Sequence, residues 1–224
     1  MGTPIVIFDL DGTLIDSAPD IHAAASRLMK AEGLPPLTFD QIRSFIGRGV
    51  PTLIDRIIEA SELKPEDRER LIAAFLDDYN VRSTELTRVF PDVESCLEKL
   101  KWLGFRLGVC TNKPLTPTTH ILKTYGLYDA FEAVVGGDSF PTVKPDPTGL
   151  ESLIGTLGGG PALYVGDSAV DSLTASRART LFGLFTEGYL NARLETVRYT
   201  FRFEAFSELP LVTEEVFAHQ GVFV

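Results

Sequence analysis

The chain has 224 residues, of which 44% are hydrophobic and 23% charged, and its formal net charge is −10. That is the make-up of an ordinary soluble globular protein, with room for one good-sized domain or for one domain carrying a smaller insert. The acidic balance argues against nucleic acid as a partner, since a phosphate backbone calls for a basic surface, but it leaves a small phosphate ester open, because such a ligand meets only the local field.

Ile5-Val6-Ile7-Phe8 is a short continuous apolar run, the pattern of a strand buried on both faces. A core strand so near the start argues against a signal peptide, and no apolar run approaches the length of a membrane span. Asp9-Leu10-Asp11-Gly12-Thr13 follows directly. Two acids at the end of a buried strand are costly unless a cation or a proton compensates them, so this is a candidate metal site. A calcium loop fails on spacing, because Gly12 comes too early and no bidentate Glu closes the loop.

From about Asp16 to Arg82 the chain reads as helix after helix. Ile21, Ala24, Ala25, Leu28 and Met29 recur at helical spacing, and Gly33 ends that helix. Thr38 and Gln41 form a capping-box pattern ahead of a second helix. Pro51 and Pro65 suit the first turns of a third and a fourth, which carry Leu53, Ile54 and Ile57, then Leu71, Phe75 and Tyr79. Gly47-Arg48-Gly49 joins helices and lacks the third glycine of a nucleotide fingerprint. It reads as a loop able to close over a substrate, with Arg48 a candidate for meeting a substrate carboxylate.

After Phe90 the pattern alternates. A helix carries Val93, Cys96, Leu97, Leu100 and Leu103, with Gly104 closing it. Strands are expected over 106–110, 133–135, 162–165 and 181–185, and helices over 115–125, 150–157 and 171–178 between them. The segment 199–217 reads as a short strand and then a helix. Such alternation predicts an α/β fold, a doubly wound parallel sheet with helices on both faces, interrupted after its first strand by an α-helical insert. The expected division is a core of 1–15 and 84–224 and a helical unit of 16–83. Cys96 and Cys110 lack metal-ligand spacing and read as buried thiols of a reducing cytoplasm. The three histidines give no zinc pattern.

The sheet's strands should all exit toward polar groups at one end, where such folds bind ligands. Strand one ends in Asp9 and Asp11. The 106–110 strand ends in Thr111-Asn112-Lys113, and the 162–165 strand in Gly166-Asp167-Ser168, with Asp171 beyond. Lys144-Pro145 lies in the loop after the 133–135 strand. Carboxylates that hold magnesium, with a hydroxyl, an amide and a lysine for phosphoryl oxygens, suit phosphoryl transfer. Asp11, two residues from Asp9 along an extended chain, points the same way and could act as acid and base.

These four motifs, in this order, resemble the haloacid dehalogenase (HAD) superfamily of phosphohydrolases, with the closest likeness to its phosphoglycolate phosphatase-like branch. The resemblance covers nearly the whole chain and implies a HAD core with a helical cap. It implies that Asp9 is the nucleophile and Asp11 the general acid and base. It implies magnesium held by the Asp9 carboxylate, the Asp11 backbone carbonyl and Asp167, and a phosphoryl group held by Thr111, the Asn112 backbone amide and Lys144. Thr13 is then expected to position Asp11, and Asp171 to support Lys144 or the metal shell. Asp11 is expected to start protonated while Asp9 stays anionic.

Asp11 favours ester hydrolysis over dehalogenation or phosphonate cleavage, since those relatives lack a carboxylate there. Sugar phosphomutases usually have Val at the Thr13 position and a cap histidine where this chain has Ile21. The substrate expected is a small phosphorylated metabolite. Phosphoglycolate leads, with nucleotides, pyrophosphate and sugar phosphates open, and with a non-catalytic binding protein on the same fold as the reading from another class. Oligomeric state is left open between monomer and homodimer. Two departures stand out: Arg179 where the family commonly has Gly, and Glu187-Gly188-Tyr189 in place of a more usual aromatic-Gly pair.

Overall fold

The computed structural model describes residues 2–190 and 192–219, so 220–224 of the expected core segment lie outside the described residues. The apolar run forms β1 (Ile5–Phe8), and after the Asp9–Thr13 turn comes a two-residue strand, β2 (Ile15–Asp16). Four helices follow: α1 (Ala18–Ala31), α2 (Phe39–Phe45), α3 (Val50–Glu59) and α4 (Arg68–Arg82). The chain returns through β3 (Arg88–Val89), which pairs antiparallel with β2. This small ribbon, unforeseen in the sequence because two residues carry no period, brackets the helical segment where it leaves and rejoins the rest.

The remainder alternates: α5 (Val93–Trp102), β4 (Arg106–Cys110), α6 (Leu115–Thr124), β5 (Ala133–Val135), α7 (Thr148–Thr156), β6 (Ala162–Gly166), α8 (Ala169–Arg177), β7 (Leu181–Phe185), β8 (Phe201–Phe203) and α9 (Leu209–His219). Six strands make one sheet in the order β5-β4-β1-β6-β7-β8, with each neighbouring pair parallel. β1 is central. Strand order runs outward one way through β4 and β5 and the other way through β6, so the sheet's switch point lies beside β1, where the carboxyl ends of such strands open a crevice.

The two-residue side-chain period of β1 explains how it is buried twice. Val6 and Phe8 face one layer, packed with Leu97, Leu100, Ile121, Leu122 and Phe217. Ile5 and Ile7 face the other, with Leu150, Leu153, Tyr164, Ala175 and Leu184. The helices α1–α4 bury a cluster of their own, which includes Ala25, Met29, Ile54, Leu71 and Phe75 and takes in Tyr189 from the loop after β7. The Thr38–Gln41 capping box is present in both directions. No helix among the described residues is long and apolar enough to cross a membrane.

The Arg179 departure has a local account. Its φ of +54° is the left-handed conformation that glycine enters freely. The chain keeps that backbone with a side chain present, at a cost of about 1 kcal/mol.

Candidate active site

Strand register gathers the site. Phe8 lies opposite Val109 on one side and Val165 on the other. The residues just beyond these strands therefore emerge at one end of the sheet: Asp9 from β1, Thr111 from β4 and Asp167 from β6. The turn after β1 is held by Leu14 N and Thr13 N, which both donate to Leu10 O, and by Gly12 N, which donates to Ile15 O. Gly12 sits at φ +84°, and a Cβ there would lie 2.3 Å from Asp167 Oδ2. A Cβ on Gly188 would lie 2.2 Å from Gly12 O. These two glycines let the β1 and β7 loops close onto Asp167, which no side chain in their place would permit.

Asp9 is buried, and Lys144 Nζ stands 2.9 Å from its Oδ1. Oδ1 is closed off from solvent, with the Lys144 ammonium as its charge partner. Burial pushes the Asp9 carboxyl up to about 7 against the pull of Lys144, with the charge of Asp171 adding to the rise. Asp167 is held at both oxygens, Oδ1 by the Thr13 hydroxyl (2.9 Å) and Oδ2 by the Tyr189 backbone N–H (2.6 Å). Burial, with Asp171 and Asp9 nearby, pushes it well above the ordinary carboxylate range.

Asp171 is the most heavily engaged acid. Lys144 Nζ donates to Oδ1 at 2.7 Å, and the Ser168 N–H and hydroxyl both donate to Oδ2, at 3.1 and 2.5 Å. The Tyr164 hydroxyl is in reach of Oδ1 as well as of Cys110 O. Burial alone would lower Lys144, but Asp171 and Asp9 outweigh it and hold the ammonium above its ordinary value.

One oxygen each from Asp9, Asp167 and Asp171 lie within 4.8 Å of one another. Three buried carboxylates against one ammonium leave negative charge that a hard divalent cation would balance, and all the donors are oxygens. The donor count ranks the three. A carboxylate offers about four lone-pair directions. Asp171 has spent three or four on protein donors, whereas Asp167 has spent two and Asp9 pairs at Oδ1 with Lys144. Asp9 and Asp167 thus fit as ligands, and Asp171 fits as the group that holds Lys144.

Around this centre the Asn112 side chain ties loops together. Its Nδ2 donates to Lys144 O and to Gly47 O, and its Oδ1 accepts from the Lys144 N–H. Thr111 is buried beside it, and its hydroxyl accepts from the Lys113 N–H. Asp138 and Ser139, in the turn after β5, cap Leu115 N and Gly136 N.

Three expectations are corrected. The Thr13 hydroxyl goes to Asp167 and not to Asp11, because the turn at Gly12 swings it toward β6. Asp11 is held instead by the Ser17 hydroxyl at 2.6 Å and by Lys113 Nζ, at 2.9 and 3.2 Å from its two oxygens. In this arrangement Asp11 only accepts, which differs from the free acid expected, so it must swing off Lys113 to serve as one. Arg48 is exposed and lines a small hollow with Ser44, Thr52 and Arg56, away from Asp9. Its loop meets the site through the backbone of Gly47.

Sequence reasoning missed Ser17, Tyr79, Tyr164 and Tyr189, and quoted Lys113 without giving it a task. The Tyr189 hydroxyl donates to Asp16 and accepts from the Ala18 N–H, so the residue that looked like a departure clasps the start of α1. Nothing in a single sequence marks those tyrosines, whose partners lie from 7 residues away for Tyr164 to 173 for Tyr189. Lys113 alone had a signal, its place in the Thr111-Asn112 motif.

A pocket open at its mouth leads to Asp9 and Asp11. Its walls include Ile21, Leu53, Phe75 and Tyr79 from the helices and Thr111, Asn112 and Lys113 from the sheet side.

Residues 6–184 match the haloacid dehalogenase-like hydrolase family. A phosphoglycolate phosphatase of Cereibacter sphaeroides is 43% identical over 92% of this chain and 96% of its own. One of Rhodobacter capsulatus is 38% identical over 94% and 97%. A crystal structure from Haemophilus somnus, described as a predicted phosphoglycolate phosphatase, superposes with a TM-score of 0.87 at 30% identity, over 93% of this chain and 97% of that one.

Proposed function

The chain belongs to the haloacid dehalogenase-like hydrolases, and from that premise we propose that it is a phosphatase of small phosphate monoesters, with phosphoglycolate as substrate and magnesium as cofactor. The observation that carries this reading is Asp9 itself. A carboxylate that lines an open pocket, with the Lys144 ammonium 2.9 Å from its Oδ1, is placed to attack phosphorus.

In this reading Asp9 attacks phosphorus and the ester P–O bond breaks. Asp11 gives its proton to the departing alkoxide. Asp11 then takes a proton from water, whose oxygen attacks phosphorus, and the bond to Asp9 breaks to release phosphate. Lys144, the Thr111 hydroxyl and the Asn112 backbone amide hold the phosphoryl oxygens, and Asp171 keeps Lys144 in place. Magnesium, held by Asp9, Asp167 and the Asp11 backbone carbonyl, would add positive charge to those oxygens. The division proposed is a core of 1–15 and 84–224 and a cap of 16–83 that walls the leaving-group side and excludes water. Cys96 and Cys110 are free and buried, in keeping with the cytoplasmic location proposed.

With magnesium present, kcat/KM for phosphoglycolate is expected to exceed that for p-nitrophenyl phosphate by at least about tenfold, since the enzyme should draw on contacts to its own leaving group. A value no higher would remove phosphoglycolate as the substrate.

The crowded acids also predict a pH-dependent response to the cation. The folded-state pKa of Asp9 lies above its unfolded value, so without metal the fold holds a proton that the unfolded chain releases. Stability then falls as pH rises from the ordinary carboxylate range to about 7. A bound cation removes that penalty. The rise in Tm given by magnesium should be at least about 5 °C larger at pH 8 than at pH 5, and equal increments in calorimetry would contradict it.

A further inference from the structure

We propose that Lys113, steadied by Tyr79, is the residue that reads a carboxylate on the leaving alcohol, and that it does so by exchanging Asp11 for the substrate's own anion. The inference rests on the phosphatase reading above and narrows it to esters of 2-hydroxy acids.

Lys113 is the only cation among the residues lining the pocket. Lys144 lies deeper, committed to Asp9 and Asp171. Lys113 is itself buried, its side chain only 5% exposed, and its Nζ spends its hydrogen bonds on Asp11 and on the Tyr79 hydroxyl at 2.7 Å. The Tyr79 ring adds a cation–π contact, with its centroid 4.6 Å from Nζ. No step of the hydrolysis uses this ammonium. The walls around it, Ile21, Leu53, Phe75, Pro114 and Pro117, are apolar and offer nothing to the hydroxyls of a sugar.

Position supplies the rest. Asp9 attacks phosphorus from one side, so the ester oxygen leaves on the other, where Asp11 must meet it. Nζ of Lys113 is 2.9 Å from Asp11 Oδ1. A leaving oxygen bonded to Asp11 is therefore about two hydrogen-bond lengths from that ammonium. In phosphoglycolate a single methylene separates the ester oxygen from the carboxylate, which spans that gap. As Asp11 turns to the ester oxygen, the buried ammonium loses its counter-charge, and a buried cation without a partner is costly. The substrate carboxylate replaces it, and a neutral group of the same size does not. Sites built around such a pairing reject the isostere that lacks it.

The test compares phosphoglycolate with 2-hydroxyethyl phosphate, its neutral isostere, both assayed with magnesium. The wild-type chain is expected to prefer phosphoglycolate by about a hundredfold in kcat/KM. Lys113→Met should lose about tenfold on the neutral ester, because Asp11 loses a positioning contact, and at least about a thousandfold on phosphoglycolate, so that the preference disappears. Lys113→Arg should keep part of the preference, and Tyr79→Phe should lower it by about fivefold.

Equal losses on the two esters in Lys113→Met, with an unchanged preference in Tyr79→Phe, would overturn the proposal. If Lys113→Met is inactive on both, the ratio in Tyr79→Phe decides, a lowered preference supporting the assignment and an unchanged one refuting it. A wild-type chain that hydrolyses both esters equally would overturn the carboxylate reader and leave the phosphatase standing. One that hydrolyses neither would overturn the phosphatase reading itself.

Discussion

Asp9→Asn is expected to lower kcat for phosphoglycolate by at least about 10⁴, the scale seen when a covalent nucleophile is removed. The amide has nearly the shape of the carboxylate, so the loss would come from chemistry and not from packing. A second readout separates the two. The metal-free fold holds Asp9 with its pKa raised to about 7, which marks the ionised group as a burden on the native state. Removing that charge should leave the metal-free variant at least as stable as the parent at pH 8, in line with the usual trade between stability and activity at reactive sites. Denaturant titrations of both proteins would check this. A variant that is inactive and also clearly less stable would point to a structural role for Asp9.

Lys144→Met should cost both stability and turnover. The ammonium lies between Asp9 Oδ1 at 2.9 Å and Asp171 Oδ1 at 2.7 Å, with the Tyr164 hydroxyl accepting at 2.7 Å. Taking away one member of a buried ionic cluster leaves the others uncompensated, a loss of about 3–5 kcal/mol. Methionine fills much of the space, so little of that loss would be cavity. The variant should unfold at markedly lower urea concentration at pH 8, with magnesium recovering part of the difference through Asp9 and Asp167. An unchanged midpoint would mean that the cluster contributes nothing to the fold, against the burial of all its members.

How much of this was legible in the sequence depended on the range of the interaction. The strands at 106–110, 133–135 and 181–185 were expected with the boundaries observed, because continuous apolar runs between turn signals are local features. The helical segment and the Thr38–Gln41 box were legible for the same reason. The convergence of Asp9, Thr111 and Asp167 followed from one inference, that parallel strands share an exit end, and the register of β1 between β4 and β6 bears it out.

What failed was side-chain direction. Thr13 was assigned to Asp11 two residues away, but Gly12 at φ +84° turns it to Asp167 instead. Arg48 looked suited to a carboxylate because its loop is near the site, yet proximity of backbone does not fix where a long side chain points. Asp171 reads from the sequence as support for Lys144 or for the metal shell, and only the count of its donors favours the first. Lys113 went unassigned because its partners, Asp11 and Tyr79, lie 102 and 34 residues away.

That Asp9 bonds to phosphorus is tested most directly by trapping the bond. The wild-type chain, turning over phosphoglycolate with magnesium, would be stopped with acid and treated with borohydride, which reduces an acyl phosphate to the alcohol, and the peptides weighed. Conversion of the residue at position 9 to homoserine, absent when phosphoglycolate is withheld and absent in Asp9→Asn, is the expected result. Turnover without any reduction at position 9, or reduction at another carboxylate, would contradict it.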